Sequence, residues 1–369
     1  MKVNNFKAVT AITLIFVLIF SLTACSSNSG SSANTANSSN STAASASTTN
    51  GGANSGDSIE LSFSHTLGTA SLHHELGLYL GQLMEERTNG AVTVKVYPSG
   101  QIAATEREAF EAVQMGTIDI TFGGTTSLSN WVDKLLLFEV PFLIDNYEHS
   151  YAVYDSDFGK EVQTWVEDYG MISLGLVECG FYELFNKKHE AAVPADFKGL
   201  NMRTSESVAM MNFMLSLGAN PITMAANETF TSLQNGVIDG MSFPILYCYT
   251  NKYYPEAKYF TEVNMLTGST FLCTSPYTFD NLPEEYHQIF KDAAADACVW
   301  ARGKLQELIN VAMEDMEAEG LVVHKCTPEE KEIWRESIYS VVYPKIKEAS
   351  GLGDELDTYV ERIRAVAPQ

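Results

Sequence analysis

One arginine in this chain stands where a carboxylate could be gripped. Arg203 closes the short apolar run Gly199-Leu200-Asn201-Met202, and Met210, Met211, Phe213, Met214 and Leu217 follow as the apolar members of a helix. A strand that ends on arginine before a helix aims a guanidinium into the space beyond the strand end. That planar fork holds a carboxylate through two parallel hydrogen bonds. Other reactive groupings are sparse. Residues 58–369 contain no G-x-S-x-G elbow, no phosphate-binding glycine loop and no H-E-x-x-H helix. The seven histidines are scattered. Zinc held by His65, His73 and His74 is the sharper alternative, but adjacent helical residues point to different sides. Six cysteines show no C-x-x-C spacing, which argues against a zinc ribbon or a thioredoxin-type site. The chain does not read as an enzyme, and neither cofactor nor metal is expected.

The elements that must position Arg203 are legible on both sides of it. Gly218-Ala219-Asn220-Pro221 ends the helix after it, a second amphipathic segment covers Glu228 to Asn235, and Gly236 to Gly240 reads as a strand. Upstream, Ile59 to Ser64 alternates as a strand, Ser71 caps a helix running to Arg87, and Val92 to Tyr97 is a second strand. A helix over Ala104 to Met115 and a strand over Ile118 to Phe122 complete a β-α-β-α-β order, which implies a parallel sheet. Ligands of open α/β sheets lie beyond the carboxyl ends of the strands. That rule nominates His65 and Thr66 after the first strand, and Gly124, Thr125 and Thr126 after the third. The glycine lets a ligand approach the backbone. Trp131 is a candidate apolar wall, with core packing as the plainer role. Strands are expected at Met171 to Val177, Thr261 to Met265, Thr270 to Ser275 and Leu321 to His324. Pro283 opens a helix with apolar spacing as far as Glu319, and helices close the chain over Pro328 to Ala349 and Asp354 to Val366.

The segments "FKGLNMR", "LGANPITMA" and "ETFTSLQNGVIDG", with Pro244 after them, resemble the solute-binding proteins of TRAP transporters, the DctP-type family. So do "RTNGAVTVKVYPSGQI", "AVQMGTIDIT" and "FEVPFLIDN", and the resemblance covers Ile59 to Pro368. It implies an α/β, two-lobed, periplasmic-binding-protein-like fold, each lobe a mixed sheet flanked by helices, with the long helix spanning both. Cys179 to Asn186 resembles the crossing between lobes. Residues 58–179 with about 270–308 would form the first lobe, and 180–269 with about 309–369 the second. The resemblance also implies that Arg203 anchors an organic acid, that the lobes close on it, and that the loaded protein docks on a permease of two unequal subunits driven by an ion gradient. Two departures bear on the ligand. Many relatives carry a second arginine where this chain has Tyr182, and an asparagine where it has Phe243. With Tyr247 and Trp131 nearby, the pocket is expected to be more aromatic than a dicarboxylate needs, and a monocarboxylate with an apolar or aromatic body fits better.

Residues 1–24 read as an export signal: Lys2 and Lys7, then an apolar run from Ala8 to Leu22 too short to be a confident span. Leu22-Thr23-Ala24-Cys25 resembles a bacterial lipobox, which makes Cys25 the lipidated first residue of the mature protein. Residues 25–57 are almost wholly Ser, Asn, Ala, Thr and Gly and are expected to be a disordered tether. Localisation is therefore expected to be extracytoplasmic, on the membrane surface. A net charge of -23 argues against nucleic acid as a partner and against electrostatic docking on anionic lipid. A solute-binding lipoprotein of an ATP-driven transporter, a ligand-sensing lipoprotein and a lipoprotein hydrolase remain the alternatives.

Overall fold

The computed structural model describes residues 58–366. The segments expected to be an export signal and a tether, and Cys25, lie outside the described residues. The chain order is β1 (Ile59–Ser64), α1 (Leu72–Arg87), β2 (Val92–Tyr97), α2 (Glu106–Gln114), β3 (Ile120–Gly124) and α3 (Thr125–Leu128). A 3₁₀ segment, Asp133–Glu139, leads to α4 (Tyr147–Asp155), α5 (Asp157–Thr164) and the long strand β4 (Ile172–Asn186). Then come β5 (Asn201–Thr204), α6 (Val208–Ser216), β6 (Asn220–Thr223), α7 (Thr229–Gln234), β7 (Gly240–Pro244) and α8 (Ile245–Thr250). The chain closes with β8 (Tyr259–Thr274), α9 (Pro276–Asn281), α10 (Glu284–Ala318), β9 (Val322–Lys325), α11 (Pro328–Ala349) and α12 (Glu355–Arg364).

The nine strands among the described residues share one mixed sheet in the order β2-β1-β3-β8-β4-β7-β5-β6, with β9 beside β8. The expected parallel unit is present, since β1 pairs in parallel with both β2 and β3. A second parallel unit, β6-β5-β7, mirrors it at the other end. Antiparallel β4 and β8 join the two. The far end of β8 pairs with β3, while the far end of β4 pairs with β7. One sheet thus serves two lobes. Helix caps fall where the residue types place them: Ser71, Thr105 and Ser207 accept first-turn amides of α1, α2 and α6.

Four local expectations change, the first being the strand read at Gly236 to Gly240, which is the turn leading into β7 (Gly240–Pro244). Leu266 to Ser269 was expected to break β8 into two strands, yet β8 is continuous. Gly268 serves close approach, because a Cβ there would sit 2.8 Å from the Gly180 carbonyl oxygen. Likewise the crossing after Val177 is no interruption: β4 runs on to Asn186 through irregularities in its register with β8. Asn220 and Pro221, read as a terminating turn, open β6. It is an edge strand, where proline forfeits no inner hydrogen bond.

The Phe138 to Asn146 segment packs inward, with Phe138, Val140, Leu143 and Ile144 buried. Cys179, Cys248, Cys273, Cys298 and Cys326 are free thiols, all buried. Helix α10 has 35 residues, about 50 Å at its ordinary rise, and buries an alanine-rich stripe that includes Ala294, Ala297 and Ala301.

Two glycine substitutions should separate close packing from chain entropy. A Cβ on Gly240 would meet the Phe185 carbonyl oxygen at 2.2 Å. Gly240→Ala should therefore lose about 3 kcal/mol of stability in urea unfolding. Gly303 lies exposed inside α10 with nothing within 4 Å of a Cβ. Gly303→Ala should gain about 0.5–1 kcal/mol in the same measurement.

Candidate ligand-binding cleft

The carboxyl ends of β5 and β7 face α2, α3 and the turn after β1 across a cavity of about 310 Å³. Arg203, next to last in β5, enters it from a backbone held on both sides: the residue pairs with Ile222 of β6 and Met241 of β7. Its side chain is buried, with Nη2 donating to the Met224 carbonyl at 3.0 Å. The guanidinium carbon lies 4.1 Å from the centre of the Phe243 ring. Nε is buried without a partner, and no described carboxylate forms an ion pair with the group. Burial pulls the guanidinium pKa below its ordinary value. Such a group favours an anion brought to it, because the cost of desolvating the cation is already borne by the fold.

The walls are aromatic. Phe243 stacks on Tyr247 with ring centres 5.3 Å apart and planes 4° from parallel. The Tyr182 hydroxyl lies 3.2 Å from Thr126 Oγ1. A carboxylate shares the cavity with the arginine. Glu106 lines the cavity, Tyr247 donates to its Oε1 at 3.4 Å, and burial raises its pKa, while Ser127, the Gly124 amide and the Arg203 charge oppose that rise. The cleft therefore presents both a cation and an acceptor.

Of the residues nominated from sequence, Thr66, Tyr182, Arg203, Phe243 and Tyr247 line the cavity together. Gly124 borders a smaller void of about 30 Å³ next to Glu106. His65, Thr125 and Trp131 are not among the lining residues. His65 is buried behind Thr66, with Nε2 3.2 Å from His74 Nδ1, and burial lowers its pKa to about 4. Thr125 is buried in the first turn of α3. Trp131 packs edge-on against Phe110 and carries the Arg107 guanidinium over its ring at 4.8 Å. His73 turns away from His65 and His74 onto Phe122 and Cys179, so the three imidazoles do not converge. Glu106, Ser127 and the Met224–Asn227 segment were missed. An acid at the start of a helix already has a sufficient explanation in the helix dipole, and nothing local marks it as facing a cleft.

A family model described as bacterial extracellular solute-binding protein, family 7, matches residues 63–348. The chain belongs to that family. A solute-binding protein from Verminephrobacter eiseniae is 32% identical over 240 residues, 65% of this chain and 71% of the relative. The C4-dicarboxylate-binding periplasmic protein DctP of Rhodobacter capsulatus is 28% identical over 298 residues, 79% of this chain and 88% of the relative. A TRAP periplasmic solute binding protein from Polaromonas sp. JS666, solved bound to D-erythronate, superimposes with a TM-score of 0.78 at 26% identity, covering 84% of this chain and all of that one. One from Sulfurospirillum deleyianum with bound succinate gives 0.77 at 23% identity, covering 84% and 99%.

In this family 7 protein several contacts bridge the two sides of the cleft. Arg107 of α2 pairs with Glu206 beyond β5 at 3.0 Å, and Asn227 donates to the Ala104 carbonyl at 3.5 Å. Deeper, the buried Glu139 accepts from Ser129 at 2.8 Å and from Ser207, the N-cap of α6. Burial raises its pKa to about 7 against the pull of those two hydroxyls. The folded state therefore holds this proton more tightly than the unfolded chain. Its contribution to stability is full below the ordinary carboxyl range and is lost as pH rises through about 7. Glu139→Gln should flatten the loss of unfolding free energy between acid and mildly alkaline pH by an amount on the order of 3 kcal/mol, read by urea unfolding across that window.

Proposed function

We propose that the cleft captures a small monocarboxylic acid through Arg203 and that the loaded protein passes it to the two membrane subunits of a TRAP-type permease. The observation that carries this reading is the buried Arg203 guanidinium, held by β5 and Phe243 and free of any ion pair among the described residues. A second carboxylate on the ligand would approach Glu106, a like charge, so a dicarboxylate is disfavoured. A hydroxyl or another N–H or O–H donor on the ligand suits Glu106, and an apolar or aromatic body suits Tyr247, Phe243 and Tyr182. The acids held by the solved relatives support the general class, D-erythronate being a hydroxylated monocarboxylate and succinate a dicarboxylate.

The lobe division at 58–179 with about 270–308, against 180–269 with about 309–369, belongs to this proposal. It is supported by β8 pairing with β3 at one end and with β9 at the other. So does attachment to the outer membrane face through lipid on Cys25, with residues 26–57 as tether. No helix among the described residues is long and apolar enough to cross a membrane. Family 7 is a family of transport proteins rather than enzymes. Delivery to an ATP-driven transporter or to a receptor uses the same cleft, and the neighbouring genes separate those readings.

Thermal unfolding against a panel of sugar acids, aryl acids, branched-chain acids and succinate tests the ligand class. At about a hundred times its dissociation constant, the right acid should add about 2.7 kcal/mol to stability. Arg203→Ala should weaken that acid by about a hundredfold or more, and unchanged affinity would sink the anchor. Glu106→Gln should strengthen succinate relative to monocarboxylates. A wild type that already prefers succinate to every monocarboxylate rejects the role given to Glu106.

A further inference from the structure

We propose that His324, Cys326 and Glu330 form a cation site outside the cleft, selective for a borderline-soft divalent ion such as Zn²⁺. Their donor atoms all lie within 4.8 Å of one another, and among the described residues no other three His, Cys, Asp or Glu side chains gather in this way. His324 is in the edge strand β9 and Cys326 follows two residues later, so both side chains leave the extended chain on the same side. Glu330 arrives from the first turn of α11. A capping box fixes it there: the Thr327 amide donates to Glu330 Oε2 at 2.8 Å, and the Glu330 amide donates to Thr327 Oγ1 at 3.2 Å. The same Oε2 lies 3.0 Å from His324 Nε2.

The donors are thus gathered before any ion arrives, and the thiol has little competing use. It has a long contact with the Ala192 carbonyl at 3.9 Å and lies beside the Trp334 side chain. The side chains of His324 and Glu330 remain 31% and 24% exposed, which leaves an entry path and room for water as a fourth ligand. A thiolate, an imidazole and a carboxylate together favour zinc over the oxygen-seeking calcium or magnesium. Burial and the Glu330 charge push the Cys326 thiol up to about 12, so loading forms a sulfur–metal bond and releases the thiol proton to solvent. Beyond Glu330, Glu183 and Lys331 are the charges that act on the thiol, and they oppose one another. Strand β9 pairs only with β8, so an ion here would tie this edge to the start of α11.

The test uses the purified full chain, stripped with a chelator and dialysed against Zn²⁺, and separately against Co²⁺. One equivalent of Zn²⁺ should bind and raise the thermal midpoint. Co²⁺ should give a thiolate-to-cobalt charge-transfer band in the near ultraviolet. Cys326→Ser should abolish the band, and His324→Gln should weaken Zn²⁺ by at least about tenfold. Arg203→Ala should leave uptake unchanged, which separates this site from the cleft. Absence of the cobalt band in the wild type overturns the proposal, whether or not the cysteine variant folds. Equal Zn²⁺ affinity in wild type and His324→Gln also overturns it.

Discussion

A Cβ on Gly268 would stand 2.8 Å from the Gly180 carbonyl and 3.1 Å from Cys179 Cβ, and this approach of β8 to β4 governs the architecture. The two strands have to lie side by side through the middle of the sheet, because each continues past the other's partners into a different parallel unit. Gly180 has φ +104°, which turns the strand there at little steric cost. Two residues beyond it, Tyr182 faces the cleft. Behind the same strand, a Cβ on Gly175 would meet Cys298 Sγ of α10 at 2.6 Å. The long helix is therefore seated directly on the backbone of β4, and both parallel units inherit their positions from that contact.

The electrostatics of the cleft run against those of the whole molecule. The chain carries a charge of -23, yet a buried cation lines the cleft. Solvent and salt screen distant surface acids within about 10 Å, whereas a desolvated guanidinium acts at short range and nearly unscreened. The Phe243 ring against the guanidinium excludes water from one face and leaves the edges to make hydrogen bonds. Glu106 of α2 lines the same cavity and interacts electrostatically with the Arg203 guanidinium.

Much of the frame was legible because it is local. Strand alternation, Ser71 as a cap and proline at helix starts announce elements one at a time. The β1, α1 and β2 assignments therefore agree with the structure to the residue or nearly so. What misled was punctuation with two meanings. Gly268 in a Thr- and Ser-rich stretch looks the same whether it turns the chain or admits a neighbouring strand. Pro221 looks the same whether it ends a helix or begins an edge strand. His65 and Thr66 are adjacent just beyond β1, and only the bend of the chain there decides that Thr66 meets the cavity while His65 is buried.

The sequence by itself determined the α/β order, the family and the arginine at the end of β5, because composition, periodicity and a residue type with few other uses are properties of the chain alone. Tertiary structure decided which side chains share the cleft. Glu106, Tyr182 and Phe243 are far apart in the chain and meet only when β4, β7 and the start of α2 are brought to one end of the sheet. The same holds for Glu139 between Ser129 and Ser207. Burial, and with it the displaced pKa of each carboxylate, is set by atoms that arrive from elsewhere in the chain.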